Sequence, residues 1–492
     1  DIPPTLHPHY ILSKDHEAQL QERPDFDTLQ AVLSGTHLRT VDELVKLVEQ
    51  GQEGLLQDLS APSVVATFPI SATQETHFRG EVRLQLYLVQ FHEVIDVGVL
   101  ERAMCDVIGR HGLLRSFLTR SSESMQWQEF DAPLKVTLPQ VDLSSMEPSQ
   151  QQELVRGLIR YEWSLDFKTI DRPMFQMVLL KYNDKRYDFL FQFDHSIFDL
   201  SSGQVMRRDL LTRYKDLLAG TVMAMPRARS FRDLQAQVDK GPVGITPEQI
   251  IEKFDLKRYV DYTKLTRQRT EHHAKRPVRQ ARYAVDLAQI QQTLPEGLEL
   301  FSLVAYLYGR LVDRLVGIDH VACDILFKSR TLEGQHFTDI MGMVLGGVPI
   351  VLPTDRSKRS ELQDILTEKF SLLNHHNISF LNLIYDIPSA LRYRKVYELI
   401  KEVHGPTFHT TCLLNFVGAV EEEYDAIWDM TMEQLDDEDQ EKLDYADIYT
   451  IAKVNGSRLD LLVLTRWAEP HEVTALLDDE VARLVGPVPN LP

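Results

Sequence analysis

His195 and Asp199 stand four residues apart in the stretch Tyr187-Asp-Phe-Leu-Phe-Gln-Phe-Asp-His195-Ser-Ile-Phe-Asp199-Leu-Ser-Ser-Gly203. An imidazole can take and return a proton near neutral pH, so acid–base chemistry is the first reading of this pair. Spacing alone does not single it out, because His92/Asp96 and His320/Asp324 repeat it. Context does. Only His195 follows a strand-like aromatic alternation, Tyr187, Phe189, Phe191 and Phe193, and leads into a helix that can be capped. Continuing that alternation puts His195 on the side of the rings and Asp194 on the other, which would desolvate the imidazole and favour its neutral form. The helix that follows is predicted from Val205, Met206, Leu210, Leu211, Tyr214 and Leu217, with Ser201 or Ser202 as its cap and Gly220 as its stop. His92 precedes a helix and His320 opens a strand; both read as structural or surface histidines.

The elements that must position this histidine come from a chain of 492 residues, enough for two or three compact domains. The hydrophobic fraction is 43% and no apolar run is long enough to span a membrane. The opening residues lack the plan of a signal peptide, so a cytoplasmic location is expected. The start at Asp1 without Met suggests a piece excised from a larger chain. A net charge of -20 argues against a nucleic-acid partner. Cys105, Cys323 and Cys412 have no paired spacing for zinc or a redox couple and read as core thiols, so no metal is expected.

Residues 1–65 are polar and read as a helical extension or linker: Thr40-Val-Asp-Glu43 is a capping-box pattern and Gly51 a stop. Residues 66–235 form a first lobe. In it Leu84–Phe91 reads as a strand and Val97–Arg110 as a helix. Trp127–Phe130 reads as a strand, Ser149–Trp163 as a helix, and Met174–Tyr182 pairs with Tyr187–Phe193 in a hairpin. Arg115, after the end of a helix, can anchor a second segment. Residues 236–282, with weak periodicity and many basic residues, read as a crossover between lobes, in which Gly241-Pro-Val-Gly is a break and Pro247 starts a helix. Residues 283–492 repeat the succession of strands and helices as a second lobe: Asp286–Leu294, Ser302–Leu315 and Ser360–His375 are predicted helices, and Val321–Phe327, Thr410–Phe416 and Leu459–Thr465 strands. Gly346-Gly347, in an apolar run, suggests a bulge or the close approach of another group. Glu421-Glu-Glu423 and Asp436-Asp-Glu-Asp439 read as exposed acidic loops. The fold class is mixed α/β.

The chain has no Gly-x-Ser-x-Gly elbow, no His-Glu-x-x-His, no Walker-type loop and no Gly-x-Gly-x-x-Gly after a strand. What remains is a histidine at the end of a strand in a two-lobed chain. Five motifs in order over about residues 66–485 resemble those of the condensation domains of nonribosomal peptide synthetases, within the chloramphenicol acetyltransferase-like acyltransferases. Ile70-Ser-Ala-Thr-Gln74 is similar to the family's Ser-x-Ala-Gln element. Arg110-His-Gly-Leu-Leu-Arg-Ser-Phe117 is similar to Arg-His-Glu-x-Leu-Arg-Thr, and Asp194-His195-Ser-Ile-Phe-Asp199-Leu200 stands where His-His-x-x-x-Asp-Gly is expected. Met341-Gly342-Met-Val-Leu-Gly-Gly-Val-Pro349 resembles Gly-x-Phe-Val-Asn-Thr-x-Pro, and His375-His-Asn-Ile-Ser-Phe380 the later His-Gln-x-x-Pro-Phe element.

The resemblance implies two acyltransferase-like lobes in a V with a substrate tunnel between them and His195 midway along it. It implies no permanently bound cofactor: phosphopantetheine arms would arrive on donor and acceptor carrier proteins, within or beside neighbouring synthetase modules. An acyl or peptidyl thioester would meet an amine and form an amide, with His195 catalytic and Asp199 structural in a salt bridge, for which Arg330 is the candidate. Ester formation or chain release onto an alcohol, and a non-catalytic carrier-docking module, stay open as alternatives. Three departures bear on them. Asp194 replaces the family's first histidine, Leu200 a glycine, and Gly346-Gly347 an Asn-Thr pair near the lobe crossover, where they would widen the tunnel.

Overall fold

The aromatic alternation before His195 becomes the inner strand of a sheet, buried along its whole length except at Arg186. The computed structural model describes residues 63–71, 74, 84–120, 125–131, 138–151, 173–221, 223, 225–270, 276–291, 299–328, 331–332, 335–355, 359–385, 391–404, 410–420 and 446–485. The expected capping box at residues 40–43, most of the helix at 149–163 and both acidic loops lie outside them. The chain folds as two compact units. The first runs up to Gln235 and also takes in the segment Phe337–Met343; the second contains Ala236–His336 and the described residues from Val344 onward.

In the first unit the elements are β1 (Val64–Pro69), β2 (Leu84–Phe91), α1 (Val97–Arg110), β3 (Ser116–Arg120), β4 (Met125–Phe130), β5 (Gln140–Asp142), β6 (Phe175–Asn183), β7 (Arg186–Asp194) and α2 (Leu200–Leu218), and α3 (Phe231–Val238) starts here. β2, β7, β6 and β5 form one sheet in that order; β1, β4 and β3 form another. β6 and β7 are the expected hairpin, with Phe175 opposite Phe193. Phe189, Phe191 and Phe175 pack ring against ring on one face, which holds the end of β7 in place. α1 starts at Asp96, whose Oδ1 accepts the Val99 N–H at 3.0 Å, so the aspartate of the His92/Asp96 pair is a helix cap. α2 is tied to α1 by Arg213–Asp106 at 2.6 Å and by Asp209, which meets both Arg110 and His111.

In the second unit come α4 (Pro247–Lys253), α5 (Leu256–Thr270), β8 (Arg279–Asp286), α6 (Leu287–Gln291), α7 (Leu300–Val316), β9 (His320–Lys328), β10 (Thr331–Leu332), β11 (Gln335–His336), β12 (Leu345–Pro353), α8 (Arg359–His375), α9 (Phe380–Tyr385), α10 (Arg394–His404), β13 (Thr410–Val420), β14 (Ala446–Asn455), β15 (Arg458–Thr465) and α11 (Pro470–Val485). Its main sheet has the order β12-β9-β13-β14-β15-β8, with β13 parallel to β9 and β14 and the other pairs antiparallel. α7 is buried almost all round, as an apolar helix against a sheet should be.

The stretch 236–282, read as a crossover, contains the helix expected from Pro247. It is mostly helical, with a full capping box of Thr246 and Gln249 opening α4, and its end supplies the edge strand β8 paired to β15. β8 alternates, with Ala281, Tyr283 and Val285 more buried than Arg282, Ala284 and Asp286, but the small Ala281 and Arg279 at its start leave too short an apolar period to be read from the sequence. Gly346-Gly347 does not form a bulge: β12 pairs with β9 in unbroken register, Gly346 opposite Phe327 and Gly347 opposite Leu326. What comes close is a side chain. A Cβ on Gly347 would lie 3.3 Å from Leu381. His320 stacks against Tyr262, and Asp324 accepts hydrogen bonds from Tyr259 and Thr410 inside the second unit, so this second His/Asp pair is structural. Among the described residues no helix is long and apolar enough to cross a membrane, and none of the three cysteines is in a disulfide, Cys323 and Cys412 being buried.

Candidate functional site

The strand ladder stops at Asp194, whose N–H reaches Met174 O at 3.0 Å. Its Oδ1 accepts the Ser196 N–H at 2.7 Å, and Ile197 N–H and Phe198 N–H then turn back to Asp194 O and His195 O. A tight turn results, closed by Phe198 stacking on Phe193. His195 Nδ1 lies 2.7 Å from Phe198 O. A carbonyl only accepts, so Nδ1 carries the hydrogen, and in the neutral ring Nε2 is the acceptor nitrogen. His195 is half-buried, less than the strand reading implies, because it is the first residue beyond the ladder; Asp194 and Ser196 beside it are fully buried.

α2 is capped by Asp199, not by Ser201 or Ser202: Asp199 Oδ1 accepts the Ser202 N–H at 2.7 Å. The Ser202 hydroxyl also donates to Asp199 Oδ1 at 2.7 Å. His195, Asp194 and Asp199 thus share one loop, with Asp199 fixing where the helix begins. Arg330, the expected partner of Asp199, lies outside the described residues.

From the amino-terminal side the loop is held by Gln74. Its Nε2 donates to Ser196 O at 2.8 Å, while its Oε1 accepts from Ser71 N–H at 3.1 Å and from Trp127 Nε1 at 3.3 Å. The Ser-x-x-Gln spacing at 71–74 is therefore a support for the His195 turn. Trp127 belongs to β4, which also carries Glu129. Arg115, as expected, anchors a second segment: its Nη2 pairs with Glu129 at 2.6 Å and its Nη1 donates to Phe130 O. Burial pulls the Arg115 guanidinium below its ordinary range, and the Glu129 charge pulls the other way. Gly112 makes room for this pair, since a Cβ there would sit 2.8 Å from Glu129 Oε1. Gly112 stands where the family's motif has a glutamate, and the carboxylate beside Arg115 is that of Glu129 in β4. Glu129, a charge between Trp127 and Phe130 in a buried strand, was detectable as an anomaly of the alternation.

His111 follows α1 and is buried, with Nε2 2.9 Å from Asp209 Oδ2. Burial holds its pKa below the ordinary imidazole value, and the neutral ring donates to the carboxylate. Burial also opposes ionisation of Asp209, but His111 and Arg208 outweigh it and hold the carboxyl at about 2. Gly346 and Gly347 lie in β12 of the second unit, Gly347 packed against Leu381 and Leu326.

These features can be set beside known proteins. A family model described as Condensation domain matches residues 73–393. The chain is 29% identical over 181 residues to the AMB antimetabolite synthetase AmbE of Pseudomonas aeruginosa, a match of 34% of this chain and 8% of that protein. It is 24% identical over 168 residues to the phosphinothricin tripeptide synthetase PhsB of Streptomyces viridochromogenes, 33% of this chain and 14% of that one. The chain spans a small part of these curated relatives. Among solved structures, the starter condensation domain of rhizomide synthetase RzmA superposes with a TM-score of 0.57 at 14% identity, covering 85% of this chain and 95% of that one. The epimerization domain from the third module of tyrocidine synthetase B gives 0.58 at 16%, covering 87% and 97%. Such identities speak for the fold. The family model covers well over half of the sequence, includes the His195 turn and the Arg115 element, and shows that the chain belongs to the condensation domains of nonribosomal peptide synthetases.

Proposed function

We propose that this domain condenses a carrier-bound acyl or peptidyl thioester with the amine of an acceptor, forming an amide, and that His195 takes the proton in that step. The observation that supports this reading most is the hydrogen bond from His195 Nδ1 to Phe198 O, which leaves Nε2 as an acceptor on a half-buried loop. The amine nitrogen attacks the thioester carbonyl carbon, the C–N bond forms, and the proton leaves nitrogen for Nε2. Collapse of the tetrahedral intermediate breaks the C–S bond, and the same proton returns to the departing sulfur, so the imidazole ends as it began. Positioned proton transfer of this kind contributes roughly 10²–10⁴-fold. The thiol belongs to the phosphopantetheine arm, which comes with the substrate on a donor carrier protein; a second carrier brings the amine.

Asp194 does not stand in for a second imidazole in this reading. Its carboxylate shapes the turn through Ser196 N–H, as Gln74 does through Ser196 O. Asp199 sets the start of α2, and a salt bridge with Arg330 belongs to the same proposal. Gly346 and Gly347, where the family carries Asn-Thr, remove side chains from β12 and are proposed to shape the substrate passage.

The test offers a carrier-bound acyl thioester with carrier-bound or free amine and alcohol acceptors, and follows acyl transfer by intact mass. Product with the amine supports amide formation. Product only with the alcohol replaces it by ester formation, and carrier binding without any turnover leaves a docking module.

A further inference from the structure

The segment Phe337–Met343 lies between strands of the second unit in sequence but packs in the first unit, beside the amino-terminal end of α2. Ser202 is where it meets the His195 loop. Gly342 N–H donates to Ser202 Oγ at 2.9 Å, and Gly342 O is 3.0 Å from the same oxygen. A hydroxyl has one hydrogen, and Asp199 Oδ1 at 2.7 Å is a nearer acceptor for it than Gly342 O at 3.0 Å. The chain of bonds therefore has a direction: Gly342 N–H to Ser202 Oγ–H to Asp199 Oδ1. Asp199 directly follows Phe198, and the Phe198 carbonyl receives the His195 Nδ1 hydrogen. Whatever fixes Asp199 fixes the acceptor that orients the imidazole.

The far end of this chain is itself held. Gly342 has φ +149°, a conformation that suits glycine, and a Cβ on it would lie 2.3 Å from Phe231 Cδ2. Arg229 stands over the Phe337 ring at 5.5 Å, and Arg110 Nη2 is 3.9 Å from Asp339. Ser202 is fully buried, so removing its hydroxyl leaves no water to bridge the Gly342 N–H to Asp199, which keeps its bond from the Ser202 N–H.

We infer that Ser202 is a positioning residue for the condensation step, coupling the segment Phe337–Met343 through Asp199 and the Phe198 carbonyl to the tautomer and orientation of His195. The inference rests on the reading of His195 as proton acceptor for its catalytic consequence, and on geometry alone for its effect on the ring. Ser202→Ala removes the link while leaving every group that touches substrate in that reading.

The experiment compares wild type, Ser202→Ala and Val463→Ala, the last a cavity in the core of the second unit that controls for lost stability. Two readouts are taken: kcat and KM for transfer from the carrier thioester to an amine, and the ¹⁵N signals of His195 in histidine-labelled protein, assigned by their loss in His195→Ala. Wild type should show the Nδ1–H tautomer. Ser202→Ala should lower kcat about tenfold with KM within about twofold, and move the ring toward the Nε2–H tautomer that an unconstrained imidazole favours; Val463→Ala should change neither. Wild-type ring signals and kcat in Ser202→Ala overturn the inference, as does a kcat loss matched by Val463→Ala at equal folded fraction with the His195 signals unmoved. If wild type does not turn over, the proposed function falls, yet the ring signals of Ser202→Ala still decide the positioning role.

Discussion

The chemistry assigned to His195 depends on which of its nitrogens carries the hydrogen, and the Phe198 carbonyl places one on Nδ1. A residue's type and its distance along the chain identify the histidine; the tautomer depends on a turn of four residues that no periodicity describes. Asp194 shows the same limit. Its departure from the family's histidine is visible in the sequence, but its task, accepting the buried Ser196 N–H, is visible only once the turn exists. Asn keeps an oxygen acceptor there and Ala does not. Asp194→Asn should therefore retain activity within about threefold, whereas Asp194→Ala leaves an unpaired buried donor and should lose about 1–3 kcal/mol of stability together with activity. Thermal unfolding and steady-state rates of both variants check this, and equal behaviour of the two would remove the turn-shaping role.

At the scale of elements, strands and helices with strong periods are legible: β2 and α1 lie where the apolar pattern puts them, and the β6–β7 hairpin forms as expected. The buried polar ties between them are not, because they join residues far apart in sequence. Arg115–Glu129 is one such tie, with both side chains nearly inaccessible. Glu129→Ala leaves the guanidinium uncompensated and should cost about 3–5 kcal/mol, while Arg115→Met with Glu129→Leu should cost much less. Urea unfolding of the single and double variants distinguishes the pair from plain packing. The His111–Asp209 tie predicts a pH dependence. His111 is held below its ordinary 6.5 in the folded state, so the unfolded chain binds more protons and stability falls as pH drops below about 6.5. Asp209, lowered from 3.8 to about 2, contributes about 2 kcal/mol above pH 4 that is lost as pH falls toward 2. His111→Gln should flatten the upper part of the thermal-midpoint profile and Asp209→Asn the lower part.

For the whole molecule, the sequence yields two α/β halves and the family, since composition, order of elements and five motifs are all local or ordered along the chain. It does not reveal that residues 337–343 pack in the first unit, nor that residues 236–282, beyond the helix at Pro247, furnish the helix α5 and the edge strand β8 to the second. Both are choices of packing partner, made by contacts such as Ser202 with Gly342 that have no signature in periodicity. The core cluster around Val463 is built of second-unit residues. A cavity at Val463, fully buried in β15, should cost about 0.5–3 kcal/mol in thermal or urea unfolding and leave turnover per folded molecule at 25 °C unchanged. The central claim is that His195 moves the proton in thioester condensation. Its most direct test is single-turnover transfer from a loaded donor carrier to an amine, wild type against His195→Ala, with carrier binding measured alongside. The account predicts unchanged binding and a rate lower by roughly 10²–10⁴-fold in the variant. Equal rates for the two proteins would contradict it.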